Sequence, residues 1–397
     1  MKKFVDYVFL MTMVIVLLPL IIVRGCSTVA EELIPIDDGG FLPPEEDAGK
    51  EEGEEEVLYL DVYIASEDEV KKMSLEEYLL GVVAAEMAAN FEIEALKAQA
   101  VAARTYAYGR MKKMYAANGA DVHKGGDICT DPGHCQAWIS KDDALKKWGE
   151  SNGQKNWDKI KRAVDETKDI VILYENKVIN PLYHANSGGA TENSENVWEG
   201  VEVPYLKSVK SEGEDACSDY EVVTAFKQED FISAIKSEIP DLKIEGENII
   251  DEIEILNRTD SERVDKIKVG DVTLKGTDFR RILDLRSTNF SIEEGEDGEI
   301  NIITIGHGHG VGMSQWGANH LAKNGKDFEE IIKYYYKGVT LEHIQNLEKN
   351  QKIFKKSLPP CILFPFAETI IYGGGKSEFQ KIISGQENYA KESAGLF

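Results

Sequence analysis

The chain has 397 residues, 42% of them apolar, and carries 71 acidic against 45 basic side chains for a formal charge of -26. That length holds one large domain or two small ones, with ample apolar content for a core. The charge excludes the basic footprint that nucleic-acid binding requires.

In chain order, Lys2 and Lys3 precede Tyr7–Val23, 17 uncharged residues interrupted only by Thr12 and Pro19. Such a run is near the lower limit for a transmembrane helix and long for a signal-peptide core, and Arg24 follows where a small-x-small cleavage site would be. The expectation is a single-pass membrane anchor at 7–23. Its basic end, 1–6, stays in the cytoplasm and everything after Arg24 lies across the membrane. Cys26 after Gly25 offers an alternative, a lipid-attachment site, for which Arg24 is a poor neighbour. Residues 24–56 hold twelve acidic against two basic side chains with several Pro and Gly, too little apolar surface to order a fold, and read as a solvated tether.

Val57–Ala65 alternates Leu58, Leu60, Val62 and Ile64 on one face and reads as the first strand, leading into two helices. Ser74 and Glu77 form a capping box, so the first helix starts at Leu75. At about 100° per residue, Leu75, Tyr78, Leu79, Val82 and Val83 share one side, and Glu86 falls in the middle of it. A carboxylate there is either paired or pushed toward its protonated form, as a general acid needs. The second helix, Phe91–Tyr115, carries Lys97 and Arg104 on a side shared with Ile93, Ala100 and Met111. Those cations invite an anionic or polar partner, and a plain tertiary salt bridge to Glu86 is the competing reading.

Beyond Tyr115, His123, Cys129, His134 and Cys135 fall within thirteen residues on a loop rich in Gly and Pro. Two thiolates and two imidazoles make a closed tetrahedral set for zinc, although the spacing is not that of a zinc finger. A Cys129–Cys135 disulfide is the alternative outside the cytoplasm. Zinc is preferred because it accounts for the two histidines, and with four protein ligands it is structural.

Residues 141–167 read as helical, with Trp148 and Trp157. Ile170–Tyr174 and Val178–Tyr183 read as a hairpin turned at 175–177. In the loop HANSGGATEN, His184–Asn193, the glycines let backbone N–H groups approach a ligand, and Ser187, Thr191 and Glu192 offer hydrogen bonds to a polar ligand. The GxSxG pattern of a serine nucleophile is absent. His184 is as readily a core histidine bonded to backbone, and Trp198 and Tyr205 either stack on a ligand or belong to the core. A helix near 229–236 follows, then strands near 249–256, 264–269 and 272–274. Cys217 stands alone and reads as buried. Strand Ile300–Ile305 enters GHGHGVGMSQWGANHLAKNG, Gly306–Gly325, where alternating glycines suggest backbone pressed on backbone or ligand. Its spacing does not fit a dinucleotide fingerprint, and His307 with His309 as metal ligands is a weaker alternative. Ser314 caps a helix ended at Gly325, Asp327 and Glu330 cap another over 328–337, and the tail 349–397 has no period that assigns it a role.

Three segments, EALKAQAVAARTYA (Glu94–Ala107), HANSGGATEN and GHGHGVGMSQWGANHLAKNG, together resemble the stage II sporulation protein D (SpoIID) family of peptidoglycan lytic transglycosylases. Ala88 stands where that family often has proline. The resemblance spans about 57–345 and implies one catalytic domain, 57–348, with Glu86 as the catalytic acid. It implies Lys97, Arg104, Tyr183, Ser187, Glu192, His309 and Gln315 as substrate-binding residues and structural zinc in the His123–Cys135 loop. It further implies denuded glycan strands as substrate, a cell-wall amidase and engulfment proteins as partners, and a site outside the cytoplasm of a sporulating cell. An amidase-enhancing glycan-binding module and a zinc amidase are the rivals. The fold class expected is α+β, since helices and antiparallel strands come in separate runs without a repeated βαβ pattern.

Overall fold

The computed structural model describes residues 57–115, 123–198, 200–244, 246 and 248–349. The expected anchor, the acidic tether and the tail after Lys349 lie outside the described residues. Among those described, no helix is long and apolar enough to cross a membrane.

Leu60, Val62 and Ile64 are buried on one face of β1 (Tyr59–Ile64), the two-residue period that a half-buried strand requires. The chain does not run straight on into the helices. It doubles back into β2 (Glu69–Ser74), antiparallel to β1. The sequence EVKKMS buries only Met73, so its alternation is too polar to read as a strand. Ser74 then accepts the Glu77 N–H at 3.2 Å and starts α1 (Leu75–Glu86), as the cap dictates. α2 (Ile93–Met111) is shorter than expected at both ends. It is buried on nearly all sides, which its many alanines permit, because small side chains let neighbouring elements approach closely.

β3 (Ile128–Cys129) joins β1 in parallel, on the edge opposite β2. The 141–167 stretch is two helices, α3 (Lys141–Trp148) and α4 (Gly153–Asp165), parted at Gly149 with φ 75°. β4 (Ile170–Tyr174) and β5 (Lys177–Val178) form the expected hairpin, its turn residues Glu175 and Asn176 both at positive φ. The pairing ends at Val178. Tyr183 belongs instead to β6 (Tyr183–His184), followed by the short α5 (Ser194–Val197).

From here the chain builds a second apolar cluster around Phe231, Ile267, Phe279, Phe290 and Ile302. Its elements are β7 (Glu221–Phe226), α6 (Gln228–Glu238), β8 (Ile253–Arg258), β9 (Val264–Val269), β10 (Val272–Lys275), α7 (Gly276–Ile282), β11 (Phe290–Glu294) and β12 (Ile300–Ile305). They form two antiparallel sheets, ordered β10-β9-β8 and β11-β12-β7. The chain then returns to the first cluster with β13 (Met313–Ser314), α8 (Gln315–Lys323), α9 (Phe328–Tyr335) and β14 (Thr340–His343), the last paired with β4. Asp327 and Glu330 form the expected capping box of α9. The result is a mixed fold of helices with small sheets, antiparallel except for two short parallel pairs, β1–β3 and β6–β13.

Candidate active site

Glu86 is the last residue of α1. The helix ends there with its partial negative charge, which disfavours an anion. The residue keeps some exposed surface, but its carboxyl group is desolvated, and burial raises its pKa to about 7 against hydrogen bonds from the Ala137 N–H, Gln315 and Tyr183. Among the described residues no cation pairs with it, and the two cations of the salt-bridge alternative, Lys97 and Arg104, pair with Glu94, Glu166 and Glu76 instead.

Each donor arrives by a separate route. The Ala137 N–H donates to Glu86 Oε1 at 2.8 Å. The segment carrying it lies across α1, where the Trp138 indole occupies the space a side chain at Gly81 would fill, 2.2 Å from the Cβ position, and the Ile139 N–H donates to Gly81 O at 3.2 Å. Tyr183 is oriented through a relay: Tyr78 donates to Gln136 Oε1 at 3.3 Å, and Gln136 Nε2 donates to the Tyr183 hydroxyl at 3.0 Å, which leaves that hydroxyl's proton for Glu86. Desolvation, and then the charge of Glu86, keep Tyr183 well above its ordinary pKa and therefore a donor. Gln315 reaches the site because β13 pairs in parallel with β6 and the Trp316 N–H donates to Ala185 O at 3.1 Å. That pairing joins the two loop motifs.

The alternating glycines allow it. Gly306, Gly308, Gly310 and Gly312 all have positive φ, and a side chain at Gly312 would lie 2.0 Å from Leu182 O. This is the backbone-on-backbone packing that the pattern suggested. His309 locks the loop: its Nδ1 accepts the Val311 N–H at 3.0 Å and it hydrogen-bonds the Tyr183 backbone. Burial, with Arg280 and Arg263 nearby, lowers its pKa to about 3, so it is neutral and supports Tyr183 from behind. His184 is the core histidine of the two readings, with Nδ1 3.2 Å from Val311 O.

Glu86 and Gln315 line a cleft of ≈ 500 Å³ with Lys147, Trp148, Ala185 and Trp316. The two tryptophans were missed as ligands because each reads as one apolar residue of a helix. The signal was available in Gln315-Trp316, which continues a recognised motif, and absent for Trp148.

Four of the expected substrate contacts have partners within the protein. Arg104 is fully buried and gives a forked pair to Glu76, at 2.9 and 2.6 Å, with a further bond to Val164 O. Lys97 is held between Glu94 and Glu166 at 2.8 and 2.7 Å. Ser187 donates to both oxygens of buried Glu214 at 2.8 Å. Glu192, also buried, accepts from Asn193 N, Asn196, Thr259 and Ser261. All four are spent on the protein itself, since buried polar groups are satisfied before they are free to bind anything. Trp198 and Tyr205 are core residues, and Cys217 is half-buried.

His123, Cys129, His134 and Cys135 converge, with their ligand atoms all within 4.8 Å of one another, and both cysteines are free thiols rather than a disulfide. Contacts are 3.1 Å between His123 Nε2 and His134 Nδ1 and 3.2 to 3.5 Å from the sulfurs to the imidazoles, close to the edges of about 3.3–3.8 Å of a tetrahedron built on zinc bond lengths. Burial raises the Cys135 thiol, but Cys129, His123, His134 and Arg110 outweigh it and hold the group well below its ordinary pKa. The four side chains can hold a metal ion. Ala137, a donor to Glu86, stands two residues beyond Cys135, so the cluster lies next in sequence to the segment that donates to Glu86.

The site is thus a single desolvated carboxylate in a cleft that Trp148 and Trp316 also line. The Stage II sporulation protein (SpoIID) family matches this chain over residues 63–174. Stage II sporulation protein D of Bacillus amyloliquefaciens is 38% identical over 280 residues, 70% of this chain and 77% of that protein. Its namesake in Bacillus subtilis (strain 168) is 37% identical over 280 residues, 70% of this chain and 78% of that protein. The chain belongs to the stage II sporulation protein D family. It is also 25% identical over 311 residues to the Amidase enhancer of Bacillus subtilis (strain 168), 66% of this chain and 40% of that protein.

Proposed function

We propose that the protein is a lytic transglycosylase that cleaves the glycan strands of peptidoglycan and leaves 1,6-anhydro-muramyl ends. One observation carries the reading: Glu86 is the sole carboxylate among the cleft's lining residues, with a pKa of about 7. Near neutrality such a group is protonated often enough to give its proton to the leaving glycosidic oxygen, and its conjugate base is strong enough to take one back. The Ala137 N–H, Tyr183 and Gln315 are donors for the carboxylate that forms. Glycosidases that use water need a second carboxylate at about 5–9.5 Å. The buried carboxylates of the neighbouring loops, Glu192 and Glu214, are saturated by protein donors. With one carboxylate, the muramyl 6-hydroxyl is the nucleophile: the bond from C1 to the leaving oxygen breaks, a bond from C1 to O6 forms, and the O6 proton goes to Glu86. The step is intramolecular, which supplies much of the rate, and no water is consumed.

The metal at His123, Cys129, His134 and Cys135 is zinc in this reading, and with all four positions filled by protein it stabilises the loop and takes no part in bond breaking. The relatives' names support a role in sporulation, where wall cleavage serves engulfment. Tyr7–Val23 anchors the domain outside the cytoplasm. The likeness to the Amidase enhancer favours a second reading, a glycan-binding partner of a cell-wall amidase without activity of its own.

Digestion of denuded glycan in heavy-oxygen water, read by mass spectrometry, tests both. The expected products are unlabelled anhydro-muramyl ends, reduced by roughly 10³-fold in Glu86→Gln. Labelled reducing ends would make the protein a hydrolase, and glycan bound but uncut would leave the amidase-partner reading.

A further inference from the structure

A second groove adjoins the Glu86 cleft. It has a volume of ≈ 760 Å³ and shares Ala89, Asn90 and Asn156 with the cleft, so the two lie side by side. Its wall is α4, which presents Lys155, Lys159 and Arg162 at positions i, i+4 and i+7, one face of a helix. Against these three cations the groove contains one carboxylate, Asp158, whose Oδ1 accepts from Gln154 at 2.7 Å. Lys147 adds a further cation on the cleft side. In a chain of charge -26 this is a local reversal of sign.

Two of the three cations are at most weakly paired among the described residues, in contrast to Lys97 and Arg104. Lys155 makes no ion pair among the described residues. Arg162 has only a 3.7 Å contact to Glu166, whose other oxygen is held by Lys97 at 2.7 Å. Lys159 is tied to Phe91 O, and burial holds it below its ordinary pKa, with Arg162 and Lys155 pushing the same way and Glu92 opposing. Three cations on one helix face beside a single lining carboxylate make a positive potential that an anion would relieve.

We infer that the groove of Lys155, Lys159 and Arg162 is an anion-binding extension of the Glu86 cleft that holds the free carboxylates of the bound glycan strand. The inference rests on the glycan reading above. Each muramyl sugar carries a lactyl carboxyl that is an amide where a stem peptide is attached and an anion where it is not. A strand running from the cleft into the groove presents those anions to α4. The groove residues thereby set a preference for peptide-free strands, while Glu86 and its donors act on the bond.

The test is binding, in the full-length protein with Glu86→Gln so that the strand stays uncut. Three oligomers of equal length are compared by calorimetry: peptide-free, peptide-free with the carboxyls reduced to alcohols, and peptide-bearing. Adding Lys155→Ala and Arg162→Ala, both exposed, should weaken binding of the peptide-free oligomer about tenfold at low salt and less at high salt. It should leave the carboxyl-reduced oligomer unchanged. Lys161→Ala, on another face of α4 and paired with Asp165, is the control and should alter nothing. Equal weakening for all three oligomers, no weakening for any, or binding of none overturns the inference. So does a loss confined to the peptide-bearing oligomer, since the groove would then read peptide carboxylates. Failure of cleavage by the wild type bears on the transglycosylase reading and leaves this comparison intact.

Discussion

The cleft and the loop region behind it each bury a glutamate, and they treat it in opposite ways. Glu214 accepts from Ser187 Oγ, Gly188 N and Ser211 Oγ at 2.8, 2.8 and 2.5 Å, with Gly189 N at 3.4 Å. Every lone pair has a protein donor, so this carboxylate is a structural node tying 187–189 to 211–214. Glu86 has fewer donors, lies at the negative end of its helix and opens on a cleft. Burial alone therefore does not make a catalytic acid. What distinguishes Glu86 is burial with incomplete satisfaction and access to a ligand.

The comparison breaks most visibly on removal of either carboxylate. Glu214→Ala leaves four donors without their acceptor in the interior and should cost about 3–5 kcal/mol of stability. Glu86→Ala, in the same denaturant titration, should cost far less. Equal losses would mean that both glutamates are structural and that Glu86 has no claim to the chemistry.

A smaller effect probes the donor side of the cleft. Purified protein should contain about one zinc per chain, and Cys129→Ser or Cys135→Ser should lower that content sharply, as elemental analysis would show. Because Ala137 follows Cys135 by two residues, either variant should also lower glycan cleavage by roughly 10²-fold through misplacement of the N–H that faces Glu86. The product should remain an anhydro-muramyl end. Loss of metal with full activity would separate the cluster from the cleft, and an altered product would give the metal a chemical role.

The sequence made the local rules legible and the competition between partners illegible. Ser74 and Asp327 announced their helices because a cap is decided within four residues, and Leu60, Val62 and Ile64 announced β1 because alternation is a property of one strand. Glu86 stood out as a charge on an apolar side. β2 was missed because its polar face is covered by nothing apolar, and the hairpin was drawn too long because Tyr183 pairs with Met313, 130 residues away. Lys97, Arg104, Ser187 and Glu192 share one feature that the sequence does not show. Each has the chemistry to bind a glycan, and only the tertiary fold reveals that Glu166, Glu76, Glu214 and Thr259 have taken it first. Trp148 and the Ala137 N–H carry no sequence mark, since one is an ordinary helix residue and the other a backbone group.

The smallest expected effect tests the desolvation of Glu86 without reference to any substrate. In the unfolded chain this carboxyl ionises near its ordinary value of 4.5, and in the folded protein near 7. Below about pH 4.5 both states are protonated, so ionisation does not affect stability. Between the two values the unfolded state releases its proton while the folded state retains it, and stability falls as the pH rises, until the full cost is present above about pH 7. At about 1.4 kcal/mol per pH unit the ceiling is about 3 kcal/mol, and solvent entering the cleft reduces the expected figure to roughly 1–2 kcal/mol. Glu86→Gln keeps the shape and the Ala137 contact but cannot ionise. It should match the wild type near pH 4 in thermal or denaturant unfolding and exceed it by that margin near pH 8. The same titration should shape the wild-type kcat/KM profile, with cleavage declining above about pH 7 as the acid form is lost. A stability difference that stays flat with pH would show Glu86 to be as well solvated as a surface carboxylate, and would remove the physical ground for assigning it the proton.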